Sequence, residues 1–377
     1  MTILTIELQL IFYLAFYIYA VCIVIQLFYF WAIFSRFVFY RKKNKNEDYP
    51  PVSVVICAKN EYLNLKKTLP PIISQDYPEF ELVIVNDASD DETIFYLEDL
   101  EKEHKHLKIV NIRQDLNFFK GKKFPLSVGI KSARYEHLLL TDADCAPASN
   151  SWIKKMADNF DSTYEVVLGY GKYQQEQGWL NTLIRFETVM TAIQYFSYAL
   201  SGTPYMGVGR NLAYKKSLFL KNKGFISHYN IDSGDDDLFI NRAANKKNTI
   251  IEIDPESFTI SAGKKTFRDW WIQKRRHLSA SRYYKFKHKF LLGLYSFSLI
   301  LAIFCFIFLL IVKVQVFWVF ILFVIRLLSQ FIIMKKSCDL LQEKKLLLFS
   351  PLIELFLLGV FPIMILTNLI FKRNKWK

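Results

Sequence analysis

The sequence predicts an α/β domain with a mainly parallel sheet, flanked by transmembrane helices. Three observations point there: apolar stretches of membrane length at both ends, β-branched runs alternating with helix-like stretches in between, and acidic residues placed where those runs end. The 377 residues are 52% hydrophobic, with 34 Phe and 21 Tyr, and are too apolar for an ordinary cytosolic enzyme.

Residues 3–34 contain one charge, Glu7, and are long enough to cross a hydrocarbon core about 30 Å thick. Arg36, Arg41, Lys42 and Lys43 follow at once, so the positive-inside rule places the next domain in the cytoplasm. The stretch lacks the basic start, short apolar core and small-residue cleavage site of a signal peptide, and reads as an uncleaved anchor. A polar linker at 41–48 leads to a strand at 52–57, the loop Ala58-Lys59-Asn60-Glu61 and a helix ending near Gln75. A second strand at 81–85 runs into the loop Asn86-Asp87-Ala88-Ser89-Asp90-Asp91-Glu92. A strand at 107–112, a helix at 124–133 and a strand at 137–140 continue the alternation, which puts a ligand at the C-terminal strand ends. The apolar run 179–200 is interrupted by Arg185, Glu187 and Gln194, and reads as an amphipathic helix, not a span.

Toward the C-terminus, 291–312 and 316–334 read as a membrane hairpin, and 346–371 as a further apolar segment broken by Pro351 and Pro362. Four complete spans place the basic tail Lys372, Arg373, Lys375 and Lys377 outside, against the charge rule; a re-entrant last segment returns it to the cytoplasm. Arg326 and Glu354 within these segments read as a buried pair or as snorkelling side chains ahead of a lipid or glycan path. The net charge of +14 gathers beside the membrane segments, which fits anionic lipid headgroups and not nucleic acid. Five cysteines, without CxxC or metal-ligand spacing, fit a reducing cytosol.

Asp142 and Asp144 close a strand with two carboxylates at its tip. Hard oxygen ligands there suit Mg2+ or Mn2+, which would neutralise the diphosphate of a nucleotide. Alone, such a pair reads as an acidic turn; its place after the βαβ run favours the metal. Asp235, Asp236 and Asp237 repel one another, which raises carboxyl pKa values, and they also suit a helix N-terminus. Gln273, Lys274, Arg275, Arg276 and His277 lie among Phe267, Trp270, Trp271, Tyr283 and Tyr284, the pattern of a helix at a membrane surface.

Seven motifs run in order along the chain: VSVVICAKNE at 52–61, VNDASDDET at 85–93, GKKFPLSVG at 121–129, TDADC at 141–145, GRNLAYKKSLF at 209–219, GDDDLF at 234–239 and QKRRH at 273–277. Together they make the region from Val52 to His277 resemble the family 2 glycosyltransferases, especially the membrane-embedded relatives of cellulose and hyaluronan synthases. The resemblance implies a GT-A nucleotide-sugar transferase domain, a Rossmann-like mixed sheet. It implies that Glu61 and Asp87 contact the nucleoside, with Asn86 replacing the first acid of an Asp-Asp pair, and that Lys122 supports the same nucleotide. Asp144 would ligate the metal, with Asp142 close to the ribose or a metal water. Counting back from Leu238 puts the general base at Asp235, with Gly234 replacing the usual Glu and Asp236 as the rival. Gln273 and Arg276 would lie over the donor diphosphate, and His277, where the family has Trp, would border the acceptor.

The expected layout is an anchor at 1–40, a cytoplasmic GT-A domain at 50–265, an amphipathic interfacial region at 266–290 and membrane segments at 291–371. The expected activity is inverting, metal-dependent transfer from a nucleoside-diphosphate sugar, UDP-linked in most such relatives, to a lipid-linked or glycan acceptor at the inner membrane. That activity belongs to polysaccharide or glycolipid biosynthesis. Two alternatives are a catalytically inactive nucleotide-sugar sensor or assembly subunit on the same fold, and a membrane scaffold or transporter.

Overall fold

The computed structural model describes residues 2–41, 49–113, 121–231 and 233–370; most of the linker at 41–48, Lys42 and Lys43 included, and the basic tail lie outside them. The chain divides into two compact units, 1–40 with 285–363 and 41–284 with 364–377.

In the first unit the chain is helical from Thr2 to Val38, through a π-helical stretch at Tyr29–Phe34, and again over Phe286–Ile311 and Val316–Leu340. A last helix, Ser350–Ile370, begins in this unit and ends in the other. All four are long and apolar enough to cross a membrane, Pro362 being accommodated inside the last. Arg326 Nη2 donates to Glu354 Oε2 at 2.7 Å, Tyr295 donates to Glu354 Oε1 at 2.8 Å, and Gln330 joins both charged groups. Buried pairing is therefore what Arg326 and Glu354 do, because an apolar environment leaves an ion no other partner.

The second unit holds the mixed α/β fold. Its strands are β1 (Val52–Ala58), β2 (Phe80–Asp87), β3 (Leu107–Ile112), β4 (His137–Asp142), β5 (Cys145–Pro147), β6 (Val166–Leu168), β7 (Gly171–Tyr173), β8 (Leu212–Lys215), β9 (Thr249–Ile251) and β10 (Thr259–Ser261). Seven form one sheet in the order β3-β2-β1-β4-β8-β6-β9, and β5, β10 and β7 form a smaller one. β1 pairs in parallel with β2 and β4, whereas β8 runs antiparallel to β4 and β6. Val54, Ile56, Leu82, Ile84 and Leu139 are fully buried, as β-branched and aliphatic runs must be in a sheet covered on both faces. Helices Tyr62–Ile73, Thr93–Glu103 and Lys123–Ser132 fill the crossovers.

Trp179–Leu200 forms one helix, but it does not present a polar face to solvent. Fifteen of its residues are buried, Arg185 and Glu187 among them, and Glu187 pairs with buried Lys274. The charges that suggested amphipathicity are internal partners.

Candidate active site

Parallel pairing brings the ends of β1, β2 and β4 to one edge, with Cys57 level with both Val85 and Asp142. Glu61, Asp87 and Asp142, far apart in sequence, therefore emerge side by side. The two first loops are interlocked. Asn60 N donates to Ser89 Oγ at 3.0 Å, Asp90 N donates to Asn60 Oδ1 at 2.9 Å, and Glu61 N donates to Thr93 Oγ1 at 3.1 Å. Asn60 and Ala88 adopt left-handed backbone, the latter an unfavourable state for alanine that the surrounding bonds must hold. Asn86 donates to Asn111 Oδ1 at 3.1 Å and accepts from Ser89 N at 3.3 Å. An aspartate lacks that donor, which gives a local reason for Asn86.

At the end of β4, ligand atoms of Asp142, Asp144 and Cys145 lie within 4.8 Å of one another. Burial and the neighbouring Asp142 charge raise the Asp144 carboxyl, and burial also raises Glu61, with Asp144 and Asp142 adding to it. Burial acts upward on Asp142 too, but Lys122, Arg210 and Arg276 hold it below the usual range. Burial and the two carboxylates push the Cys145 thiol well up, and it donates to Asp144 Oδ1 at 3.3 Å. The donor set is thus two carboxylates beside a neutral thiol, oxygen chemistry that fits Mg2+ or Mn2+. Lys122 makes its ion pair with Asp142, so it serves the acid pair directly.

The acidic triplet is sorted by its hydrogen bonds. Asp236 accepts from Gly209 N at 2.8 Å through Oδ2 and from Asp237 N at 2.7 Å through Oδ1. Asp237 accepts from Tyr284 Oη and from Leu238 N, each at 2.7 Å. Among the described residues Asp235 accepts no hydrogen bond, and its charge raises Lys122 together with that of Asp142, against the effect of burial. Burial with Asp235 and Asp237 nearby pushes Asp236 up to about 8; burial, partly offset by Tyr284, leaves Asp237 at about 6. Gly234 has φ +100, and a Cβ there would meet Leu238 Cδ1 at 2.4 Å. The glutamate usual in the resembled family cannot occupy this backbone. Lys123 is buried and donates to the carbonyls of Ile231 and Ser233, so adjacent lysines serve different ends: Lys122 the metal-type acids, Lys123 the loop before Asp235.

Helix Phe267–Ser281 starts on a threonine N-cap: Thr266 Oγ1 accepts from Asp269 N at 3.1 Å and donates to Asp269 Oδ2 at 2.7 Å. Ser233 Oγ donates to Arg276 O at 3.1 Å, tying the helix to the acid loop, and the Arg276 charge reaches Asp142. Gln273 is half-buried and His277 exposed on the same helix. Trp270 is wholly buried against Phe267, and Tyr284 is 8% exposed, so neither ring is available to a lipid headgroup layer, contrary to the sequence expectation. Their hydrophobic area is spent inside the domain; Phe267 and Tyr283 remain exposed. Arg275 Nε donates to Asn368 Oδ1 and Asn368 Nδ2 donates to Arg275 O, each at 2.8 Å.

Sequence reasoning assigned no site role to Arg210 or Lys123, and placed Tyr284 only in the membrane-surface pattern. Arg210 and Lys123 lie within quoted motifs, which was the available signal; nothing in the sequence tied Tyr284 to the acid triplet.

Residues 53–222 match the family model described as Glycosyl transferase family 2. The chain is 32% identical over 125 residues to the poly-beta-1,6-N-acetyl-D-glucosamine synthase of Staphylococcus epidermidis, covering 30% of this chain and 29% of that protein. It is 30% identical over 121 residues to the beta-monoglucosyldiacylglycerol synthase of Trichormus variabilis, covering 32% of this chain and 25% of that one. The matches thus span less than a third of either relative. The fold is shared with a mannosyltransferase from Pyrobaculum calidifontis solved with GDP-Man and Mn2+, at a TM-score of 0.64 and 18% identity, over 96% of this chain and 99% of that one. The family 2 glycosyl transferase match thus covers residues 53–222, a little under half of the chain, and it lies within a GT-A-like fold.

Proposed function

We propose that the protein transfers a sugar, with inversion at the anomeric carbon, from a nucleoside-diphosphate sugar to a lipid-linked or glycan acceptor at the cytoplasmic face of the inner membrane. The observation that carries this reading is the sorting of the triplet. Asp236 and Asp237 spend both oxygens on hydrogen bonds, while Asp235 accepts none among the described residues. Each oxygen of Asp236 and Asp237 is already turned toward a donor, whereas both oxygens of Asp235 are open to an acceptor hydroxyl among the described residues, as a general base requires.

Asp235 takes the proton of the acceptor hydroxyl as its oxygen bonds to the anomeric carbon; the bond from that carbon to the diphosphate breaks, and the nucleoside diphosphate leaves with the electron pair. Asp142 and Asp144 would hold Mg2+ or Mn2+, which when bound neutralises diphosphate charge. Arg276 and Gln273 face the leaving group, Glu61 and Asp87 the nucleoside, and His277 the acceptor. Lys122, paired with Asp142, keeps positive charge beside the developing leaving group. The GDP-Man held by the Pyrobaculum calidifontis mannosyltransferase fits a nucleotide-sugar donor, and the resemblance in sequence is the reason we take this one as UDP-linked.

In this reading 1–40 anchors the chain, 50–265 forms the cytoplasmic catalytic domain, 266–290 runs along the interface and 291–371 returns to the bilayer. The Arg275–Asn368 pair favours a last segment that ends on the side of the catalytic domain. An inactive sensor is the second reading, drawn from Asn86, Gly234 and His277; the local reasons for Asn86 and Gly234 weaken it. Purified protein in native membrane lipid, screened with labelled donors for released nucleoside diphosphate by mass, tests the proposal. Donor binding without release or transfer would leave the sensor reading.

A further inference from the structure

We propose that Arg210 grips a phosphate oxygen of the donor diphosphate, as a second guanidinium beside that of Arg276; this deepens the nucleotide-sugar reading and rests on it. Arg210 lies just before β8, whose antiparallel pairing sets Leu212 against Leu140 and so carries Arg210 to the edge where β4 delivers its acids. Its backbone is fixed from three sides. The Arg210 carbonyl accepts the hydroxyls of Thr141 and Thr259, each at 2.9 Å, and the preceding Gly209 N is held by Asp236.

The side chain is equally constrained. The guanidinium lies over the Tyr173 ring, 4.1 Å from its centre, and Nη1 donates to Ser261 Oγ at 3.1 Å. Ser261 is its one side-chain hydrogen-bond acceptor among the described residues, and a guanidinium has five N–H donors. Asp142 and Asp144 both feel its charge, yet Asp142 already has its ion pair in Lys122. A rigid fork with donors to spare, next to an acid pair suited to a divalent cation, matches a phosphate that the cation would also bind. Holding the fork in advance lowers the entropy lost on binding. Space is made for it by Gly171, where a Cβ would come within 2.9 Å of Arg210 Cβ.

The test is calorimetric titration of the full chain in lipid nanodiscs with UDP and GDP, each with Mn2+, and with uridine and guanosine as phosphate-free probes. Arg210→Gln should weaken whichever diphosphate the wild type binds by about 10-fold or more, with Arg210→Lys between the two. The phosphate-free nucleoside should bind all three proteins alike. Gly171→Ala, which keeps the guanidinium but displaces its root, should weaken the diphosphate in the same direction and covers the case in which Arg210→Gln does not fold. Unchanged diphosphate affinity in folded Arg210→Gln, or an equal loss for the nucleoside, overturns the assignment. A wild-type protein that binds neither UDP nor GDP overturns the nucleotide-sugar reading itself.

Discussion

The hydroxyl of Tyr284 donates to Asp237 Oδ2 at 2.7 Å, joining a tyrosine three residues past helix Phe267–Ser281 to the acid triplet across 47 positions. Both groups are 8% exposed. Tyr284→Phe leaves a buried carboxylate short of a donor and should cost about 1–3 kcal/mol, read by denaturant unfolding, while moving the Asp237 pKa further up. An unfolding free energy equal to wild type would mean that the bond contributes nothing.

Asp235→Asn keeps shape but removes proton acceptance, so turnover should fall on the order of 10²-fold or more with nucleotide affinity held. Asp236→Asn can satisfy only one of the two backbone N–H groups with its single oxygen; its main effect should be lower thermal stability. Steady-state kinetics paired with melting curves separate the two, and a dead Asp236→Asn alongside an active Asp235→Asn would shift the base by one position.

Asp236 and Asp237 make a contribution to stability that should fall as pH rises. Asp236 at about 8 and Asp237 at about 6 both stand above the unfolded carboxyl value, roughly 4, so between those limits the folded state keeps protons that the unfolded state has released. The stabilisation is complete below the unfolded value and is lost as pH passes through the folded ones. Histidines lowered by burial, His228 among them, act in the opposite direction, so the measurement is a difference: the melting-temperature advantage of wild type over Asp236→Asn should shrink as pH rises from 4 to 8.

Gly234→Ala introduces a Cβ at φ +100 against Leu238, a combination of strain and overlap. A loss of about 1–3 kcal/mol is expected, with turnover falling as the neighbouring Asp235 is displaced. A fully active and stable Gly234→Ala would show that the loop relaxes without moving the base.

Asp144→Ala removes one of two mutually repelling carboxylates. The fold should hold or gain slightly in melting temperature, while Mn2+-dependent nucleotide binding is abolished in calorimetric titration. Retained metal dependence would exclude Asp144 as a ligand.

The strand-helix alternation, the acids at strand ends and the four apolar helices were legible in the chain because each rests on local patterning: period, composition and run length within a few turns. Strands β1, β2, β3 and β4 fall within two or three residues of the expected bounds for that reason. The state of each acid in the triplet was not legible. Three adjacent aspartates look alike until Gly209, 27 positions away, and Tyr284, 47 positions away, take the oxygens of Asp236 and Asp237. Arg210 became part of the site through antiparallel pairing of β8, a choice made by the whole sheet. Trp270 and the helix Trp179–Leu200 read as surface elements because their sequences mix aromatic, apolar and charged groups, yet they are buried, since Lys274 and Glu187 neutralise one another inside the fold. Sequence determined which groups were present and on which elements; tertiary contacts over long separations decided which of them remained open for chemistry, because burial and hydrogen-bond commitment depend on neighbours that local pattern does not specify.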